Sequence, residues 1–193
     1  THVALPPGFA PSEITYPTPQ RIPLPPLVNY GHTGKPTFRV SLQAPDDARV
    51  GDAADIRLEA TWLICADICV PETGVFALSA PIVADPQPAA PWRALGDAAR
   101  AADAEPFDGE ALFSIEDARV LLSLSPAPAR GGYFFALAQG VVEPAAPQRA
   151  RVAGDRLLVS LEGAAGLQTM RLRSLDGVFV DDGGAAHTLS AAP

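Results

Sequence analysis

Features that would tie the chain to a membrane or to nucleic acid are missing from the sequence. No apolar run reaches about 18 residues, so we expect no segment to span a bilayer. No basic, apolar and small-residue secretory signal opens the chain, so we expect any signal or membrane domain to lie outside it. Only 14 Lys and Arg stand against 22 Asp and Glu, which gives a net charge of −8. Such a surface repels nucleic acid and anionic lipid, and neither is expected as a partner.

Metal-binding side chains are scarce as well. The chain has two cysteines, one methionine and three histidines, and His2, His32 and His187 are far apart in the sequence. Tetrahedral zinc takes four Cys or His ligands at short spacing. We therefore expect neither a metal nor a bound cofactor.

Long helices are also disfavoured by the composition. Charged residues make up 19% of the chain, whereas hydrophobic residues make up 48%, so the chain is folded rather than disordered. With 21 prolines and 16 glycines, many short strands joined by turns are favoured. At 193 residues the chain is long enough for two small domains. The prediction is an all-β protein.

What is present is a close pair of cysteines. Both lie in the run Cys65-Ala-Asp-Ile-Cys69, and Pro71 and Gly74 are predicted to break the chain just beyond it. Three intervening residues permit a disulfide if the chain curls, and no other cysteine competes. A ring this small removes little unfolded-chain entropy, which favours redox exchange over stapling of the fold. Buried unpaired cysteines, a structural disulfide and a metal site remain as alternatives.

Two carboxylates flank the cysteines. Asp67 and Glu72 would disfavour a nearby thiolate, and Cys65 follows a predicted strand rather than opening a helix, so no helix terminus lowers its pKa. We expect a weak nucleophile that its partner activates. Asp67 and Glu72 are either exposed turn residues or take part in proton transfer during exchange.

The order of predicted elements divides the chain into three parts. Residues 1–86 form a redox domain, whose proline-punctuated segment Thr1–Pro36 is extended chain. Residues 87–108 are a linker with a short helix over Trp92–Ala104, and residues 109–193 are a second β sandwich. Glycines, Gly177 among them, are predicted to form turns between the strands of the second half. Period-two alternation predicts strands at Thr37–Ala44, Ala54–Ile64, Val75–Ser79, Ala111–Ile115, Val120–Leu124, Tyr133–Ala138, Ala150–Val152, Leu157–Leu161, Leu167–Arg173 and His187–Leu189. Residues 181–186 are predicted to be a hairpin loop.

The cysteine motif resembles a known family. The run is Trp62-Leu-Ile-Cys65-Ala-Asp-Ile-Cys69-Val-Pro71-Glu72, and upstream stand Leu5-Pro-Pro-Gly-Phe9, Ile14 to Pro23 and Val28 to Gly34. These stretches, covering about the first 85 residues, are similar to the amino-terminal periplasmic domain of DsbD-family thiol-disulfide reductases, and within it to the ScsB branch. The resemblance implies an immunoglobulin-like sandwich and a periplasmic location.

The resemblance also implies a function. In the family, this domain accepts electrons from a membrane-attached thioredoxin-like domain, of the same or a partner protein, and passes them to soluble periplasmic thioredoxin-fold oxidoreductases through mixed disulfides. The second cysteine makes the intermolecular bond there, which corresponds to Cys69, and Cys65 resolves it. The chain is thus expected to be a protein-disulfide reductase domain.

A cap over the disulfide is a further implication of the resemblance. In the family an aromatic-bearing loop shields the sulfurs until a partner docks, and Asn29, Tyr30, Gly31 and His32 occupy the matching place. An ordinary exposed turn is the alternative for these residues.

Two other functions remain open. One is a copper-binding module, suggested by the branch's association with copper tolerance and by soft ligands such as the thiolates and Met170. The other is an interaction domain with an inert disulfide.

Overall fold

The chain forms two compact units in the computed structural model, which describes residues 2–66 and 68–193 and the side chains from Ala4 onward. The first unit contains residues 1–16 and 37–101, and the second contains residues 17–36 and 102–193. The boundaries predicted from the sequence kept residues 17–36 with the first domain, whereas in the structure this segment lies in the second unit.

The first unit is built on a long hairpin. Its elements are β1 (His2–Ala4), β2 (Ala10–Pro11), β5 (Leu42–Gln43), β6 (Ala53–Cys65), β7 (Cys69–Pro81) and α1 (Ala90–Ala101). The sheet order is β1-β6-β7, all antiparallel, and β2 pairs with β5 in a separate two-stranded sheet. Every second residue of β6 from 54 to 60 is buried or half-buried and the residues between are exposed, which confirms the predicted period of two.

The second unit is a β sandwich with its own core. Its elements are β3 (Gln20–Leu24), β4 (Leu27–Gly31), β8 (Glu105–Pro106), β9 (Glu110–Glu116), β10 (Arg119–Ser125), β11 (Gly132–Ala136), β12 (Arg149–Ala153), β13 (Arg156–Glu162), β14 (Leu175–Asp181), β15 (Ala186–Ala191) and a 3-10 turn (Leu167–Thr169). Two four-stranded sheets have the orders β12-β13-β10-β9 and β11-β14-β15-β8. Their core contains side chains such as Leu122, Phe134, Leu157 and Phe179, none of which is exposed. The predicted all-β class, short helix and second sandwich are confirmed.

Residues 17–36 join the second unit through the β3–β4 hairpin. The Thr18 backbone N–H and side-chain hydroxyl both donate to the Ala102 carbonyl, and Arg21 donates to the Ala145 carbonyl at 3.3 Å. Because Asn29, Tyr30 and Gly31 belong to β4, they form a half-buried strand. The alternative prediction of an exposed turn at these residues is therefore wrong.

Two predictions for the second half are wrong. Leu167–Arg173 is not a strand, because residues 167–169 close a 3-10 turn in which the Thr169 hydroxyl donates to the Gly166 carbonyl. The prediction also lacks β14, where Gly177 lies mid-strand rather than in a turn. A Cβ at Gly177 would lie 2.3 Å from the Phe134 ring, so this position needs glycine for close packing.

The predicted strand Thr37–Ala44 forms only in part. Leu42–Gln43 pairs with β2, and Arg39 makes an isolated bridge with Thr15. Between these contacts the Ser41 N–H donates to the Ser12 hydroxyl instead of to a backbone carbonyl. The register also shifts by one residue between Pro11 opposite Leu42 and Thr15 opposite Arg39, so the pairing is interrupted.

The predicted helix and the predicted loop at residues 181–186 agree with the structure. The helix predicted over Trp92–Ala104 spans Ala90–Ala101, with Pro91 in its first turn, where a missing N–H costs no hydrogen bond. The predicted loop after β14 is a tight turn in which the Asp181 carboxylate accepts N–H donors from Gly183 and Ala185. Within residues 2–66 and 68–193, no helix is long and apolar enough to cross a membrane.

Candidate redox site

The two cysteines close the end of the β6–β7 hairpin. The strands pair residue for residue from Ala53 opposite Pro81 to Cys65 opposite Cys69. Next to the cysteines, the Ala66 N–H donates to the Ile68 carbonyl at 3.1 Å. The cysteines therefore lie at the tip of a hairpin whose two strands position both sulfurs.

A disulfide joins Cys65 to Cys69, as predicted. The S–S distance is 2.09 Å and the Cα atoms are 4.0 Å apart. Facing Cα atoms are about 4.5 Å apart at non-hydrogen-bonded positions of an antiparallel pair and about 5.5 Å apart at hydrogen-bonded ones. The short Cα separation thus assigns the cysteines to a non-hydrogen-bonded position.

Prolines in β7 give the same assignment independently. Pro71 faces Leu63 and Pro81 faces Ala53, and a proline can occupy a regular ladder only where no N–H is required. Both prolines have odd numbers, as do the cysteines. At the two ends of the ladder the bonded pairs are even-numbered, since Ala66 donates to Ile68 and Ile82 donates to Asp52 at 2.8 Å.

Pro71 and Gly74 do not break the chain, contrary to the prediction. Both are interior residues of β7. Pro71 is tolerated because its position needs no donor toward β6, and Gly74 makes room for neighbouring rings. A Cβ at Gly74 would lie 2.8 Å from the Trp62 ring and 2.9 Å from the Phe76 ring.

The disulfide shares its face of the hairpin with two cross-strand pairs. Side chains alternate between faces along a strand, so the odd-numbered residues lie together. Next to the cysteines come Leu63 and Pro71, followed by Thr61 and Thr73, whose hydroxyl oxygens are 3.2 Å apart. Of the described residues on this face, the two pairs that follow the cysteines are thus uncharged, and the pair next to the sulfurs is apolar.

The tip of the hairpin is exposed and apolar. Both cysteines are exposed, Leu63 retains 65% of its accessible surface and Ile68 retains 73%. Ile64 and Val70 are also exposed, on the opposite face. Apolar patches of this kind mark protein contacts. Leu63 and Ile68 were not predicted as site residues, although the period of two places Leu63 beside Cys65.

Two carboxylates, Asp67 and Glu72, are predicted to support the cysteines. Asp67 lies outside the described residues. Glu72 faces Trp62 on the even-numbered face, opposite the sulfurs. A role for either residue in exchange stays a prediction.

The residues predicted to form a cap belong to the second unit. The Tyr30 ring packs edge-on against Phe135 at 5.0 Å and Tyr133 at 6.1 Å. The Tyr133 hydroxyl donates to the Pro144 carbonyl, so the Tyr30 hydroxyl donates to Tyr133 at 3.2 Å. Burial, followed by this hydrogen bond, raises the pKa of Tyr30 far above its ordinary value.

His32 follows directly after β4. Partial burial lowers the pKa of His32, and a hydrogen bond to the Thr18 backbone opposes that shift. Tyr30 and His32 lie in the second unit, whereas the disulfide lies in the first. A cap formed by these residues stays a prediction.

The soft ligands of the copper alternative are divided in the same way. Met170 packs against the core of the second unit, and the His187 ring lies 6.1 Å from Phe107 in that unit. Among residues 2–66 and 68–193, no group of three or more His, Cys, Asp or Glu side chains could hold a metal ion.

A small apolar cavity lies beside β6 in the first unit. It has a volume of about 230 Å³ and is lined by Ile14, Tyr16, Phe38, Val40, Leu58, Ala60, Thr61 and Trp62. The Tyr16 and Phe38 rings meet edge-on at 5.4 Å across it. It lies mainly on the even-numbered face, so it is not part of the sulfur surroundings.

Comparisons with known proteins agree with this description. Residues 2–81 match the family model described as thiol:disulfide interchange protein DsbD, N-terminal. The fold is similar to the crystal structure of the N-terminal periplasmic domain of ScsB from Proteus mirabilis, with a TM-score of 0.63 and 15% identity over 100% of this chain and 77% of that one. No curated protein matches the chain by sequence. The resemblance drawn from the motif is thereby confirmed.

Proposed function

We propose that this chain relays reducing electrons in the periplasm, because residues 2–81 match the family model of DsbD N-terminal domains. The donor is a membrane-attached thioredoxin-like domain and the acceptors are soluble thioredoxin-fold oxidoreductases. The observation that carries the proposal is an exposed disulfide on an apolar hairpin tip. Exchange requires an accessible sulfur, and this site supplies one on a surface suited to a protein partner.

Reduction of the site consumes one dithiol of the donor. A donor thiolate attacks the Cys69 sulfur, the Cys65–Cys69 bond breaks, and Cys65 leaves as a thiolate. The second donor thiolate then attacks the donor's own sulfur in the mixed disulfide and releases Cys69. The donor ends as a disulfide, and Cys65 and Cys69 hold the two electrons as thiols once protonated.

Transfer to the acceptor is the reverse sequence. The Cys69 thiolate attacks the acceptor disulfide, forming a mixed disulfide and releasing one acceptor thiolate. The Cys65 thiolate attacks the Cys69 sulfur, which restores the Cys65–Cys69 bond and releases the second acceptor thiolate. The acceptor is reduced by two electrons and this chain returns to its oxidised form.

The assignment of roles follows the resemblance to the family, in which the second cysteine makes the intermolecular bond. At the hairpin tip both cysteines are exposed, and β1 pairs with β6 only from Arg57 to Glu59, so a partner can approach either strand there. Cys69 is therefore accessible for the intermolecular bond. Cys65, directly opposite, is then placed to resolve it.

Single-cysteine variants test the proposal. With an oxidised thioredoxin-fold oxidoreductase from a periplasmic extract, Cys65→Ala should accumulate a mixed disulfide through Cys69, because the resolving thiol is absent. Cys69→Ala should accumulate little, and a variant lacking both cysteines is the control. Non-reducing electrophoresis and mass spectrometry identify the adduct.

The same experiment separates relay from an inert disulfide. Equal trapping by the two single variants would contradict the assignment of roles. A Cys65–Cys69 bond that thioredoxin-like reductants cannot open in the folded protein would contradict the relay itself.

A further inference from the structure

Strand β7 has a long free edge. Among residues 2–66 and 68–193 it pairs only with β6, and no described residue pairs with its outer side. Between Pro71 and Pro81 every residue is exposed except Gly74 and Ala80, which are half-buried. Natural proteins shield such edges, because a free row of N–H and C=O groups recruits another strand.

The outward-facing groups can be identified from the ladder. Even-numbered residues of β7 bond to β6, so the odd-numbered residues direct their N–H and C=O groups outward. The outward donors are those of Thr73, Val75, Ala77 and Ser79. Pro71 and Pro81 bound this row and have no N–H of their own.

The row is symmetric about Phe76. Pro71 and Pro81 lie at equal distances from Phe76 along the chain, and so do Thr73 and Ser79. If a second β7 paired antiparallel across a two-fold axis, only the register centred on Phe76 would place all four outward donors opposite one another. The prolines of the two copies would then face each other and end the new ladder.

We propose that β7 pairs in this register with the β7 strand of a second copy of this chain, with Phe76 on the two-fold axis. Phe76 and Leu78 are both more than half exposed, and pairing would place Phe76 against its equivalent and Leu78 against Gly74 of the second copy. Facing aromatic pairs add to the stability of antiparallel strands.

Charge distribution fits a second copy as the occupant. Glu72 is the one charged residue between Pro71 and Pro81. In the symmetric register Glu72 faces Ala80 of the second copy, so no like charges meet. Facing like charges would be destabilising, and β7 avoids them in this register.

Dimerisation leaves both redox sites free. Antiparallel pairing sends the two hairpin tips in opposite directions, and at about 3.3 Å per residue the two Cys69 residues are roughly 45 Å apart. The proposal therefore goes beyond electron relay and does not depend on it.

Charge substitutions at the axis test the register. Phe76→Glu and Phe76→Lys each place like charges opposite one another, so each variant should be monomeric at high micromolar concentration, where the wild type is dimeric. An equimolar mixture should recover the dimer as a heterodimer. Ile64→Glu is the matched control. Ile64 is 52% exposed and Phe76 is 54% exposed, and both lie on the same face of the hairpin, but Ile64 belongs to β6 and not to the strand proposed to pair. Sedimentation equilibrium gives the masses.

Amide exchange in the wild type gives a second readout that needs no variant. The amides of Thr73, Val75, Ala77 and Ser79 should exchange more slowly as the protein concentration rises, whereas exchange in β13 should not change. A monomeric wild type, a mixture of the two variants that stays monomeric, or a dimer in which these amides remain unprotected would each overturn the proposal.

Discussion

Reduction of the disulfide should leave the hairpin folded at a modest cost in stability. Closing the ring of residues 65–69 is worth about 2 kcal/mol of unfolded-chain entropy, compared with about 3 kcal/mol for a loop of about 15 residues. The remaining pairs of β6 and β7, from Ala53 opposite Pro81 to Ile64 opposite Val70, do not involve the sulfurs. We therefore expect reduction to lower the free energy of unfolding of the first unit by about 2 kcal/mol.

The tryptophans make this measurable in the intact chain. Both of them, Trp62 and Trp92, lie in the first unit, so tryptophan fluorescence reports the unfolding of that unit alone. Urea unfolding would be followed with and without a phosphine reductant. A variant with serine at Cys65 and Cys69 shows the effect of the reductant on a chain without a disulfide.

Two results would refute this reasoning. A loss well above about 4 kcal/mol would mean that the disulfide holds the unit together, beyond what the entropy of so small a ring can supply. Loss of amide protection along β6 on reduction under native conditions would show that the ladder depends on the sulfurs. Either outcome would favour a structural disulfide over a reversible one.

Further predictions concern the second unit. Tyr30→Phe should lower its free energy of unfolding by about 1 kcal/mol, because Tyr133 keeps its bond to Pro144 but loses the donor from Tyr30; denaturant unfolding followed by tyrosine fluorescence or circular dichroism checks this. Folding lowers the pKa of His32, so below about pH 6.5 the unfolded chain binds more protons than the folded chain. The free energy of unfolding should therefore fall as the pH drops from about 6.5 toward the pKa of His32 in the folded protein. The melting temperature of His32→Gln should depend less on pH over that window, and an unchanged dependence would assign the acid sensitivity to other groups. If Tyr30 and His32 cap the disulfide, the double alanine variant should be reduced faster by glutathione, and an unchanged rate would leave Tyr30 with its packing role alone.

The sequence was informative where one physical pattern determined the structure. In β6, alternation of apolar and charged residues has no competing interpretation, and the predicted Ala54–Ile64 became Ala53–Cys65. The disulfide followed from having two cysteines at a spacing that permits it. Both features are local, so no knowledge of distant contacts was needed.

Glycine and proline in β7 and β14 were misread because their meaning depends on distant partners. Pro71 is compatible with a strand only at a non-hydrogen-bonded position, which the register with β6 decides. Gly177 is in a strand because the Phe134 ring packs against it from β11. A turn is the better local prediction at each position, and tertiary packing overrides it.

The place of Tyr30 could not be predicted either. Its segment is rich in proline and has no long periodic run, so the sequence does not indicate which unit it joins. Its ring contacts with Tyr133 and Phe135, and the hydrogen bond from its hydroxyl to Tyr133, determine it, and these involve residues more than a hundred positions later.

The path of the chain between the two units limits how they can be separated. Because the second unit takes residues 17–36 as well as 102–193, the polypeptide passes between units after Tyr16, after Pro36 and after Ala101. Neither unit corresponds to one continuous stretch of gene. A truncated clone ending near residue 101 would carry the β3–β4 hairpin without its partners, and a protease cut between residues 83 and 89 would leave the two units covalently joined. A single recombination event therefore cannot transfer either unit as one continuous segment. An isolated redox unit would require a short connector in place of residues 17–36.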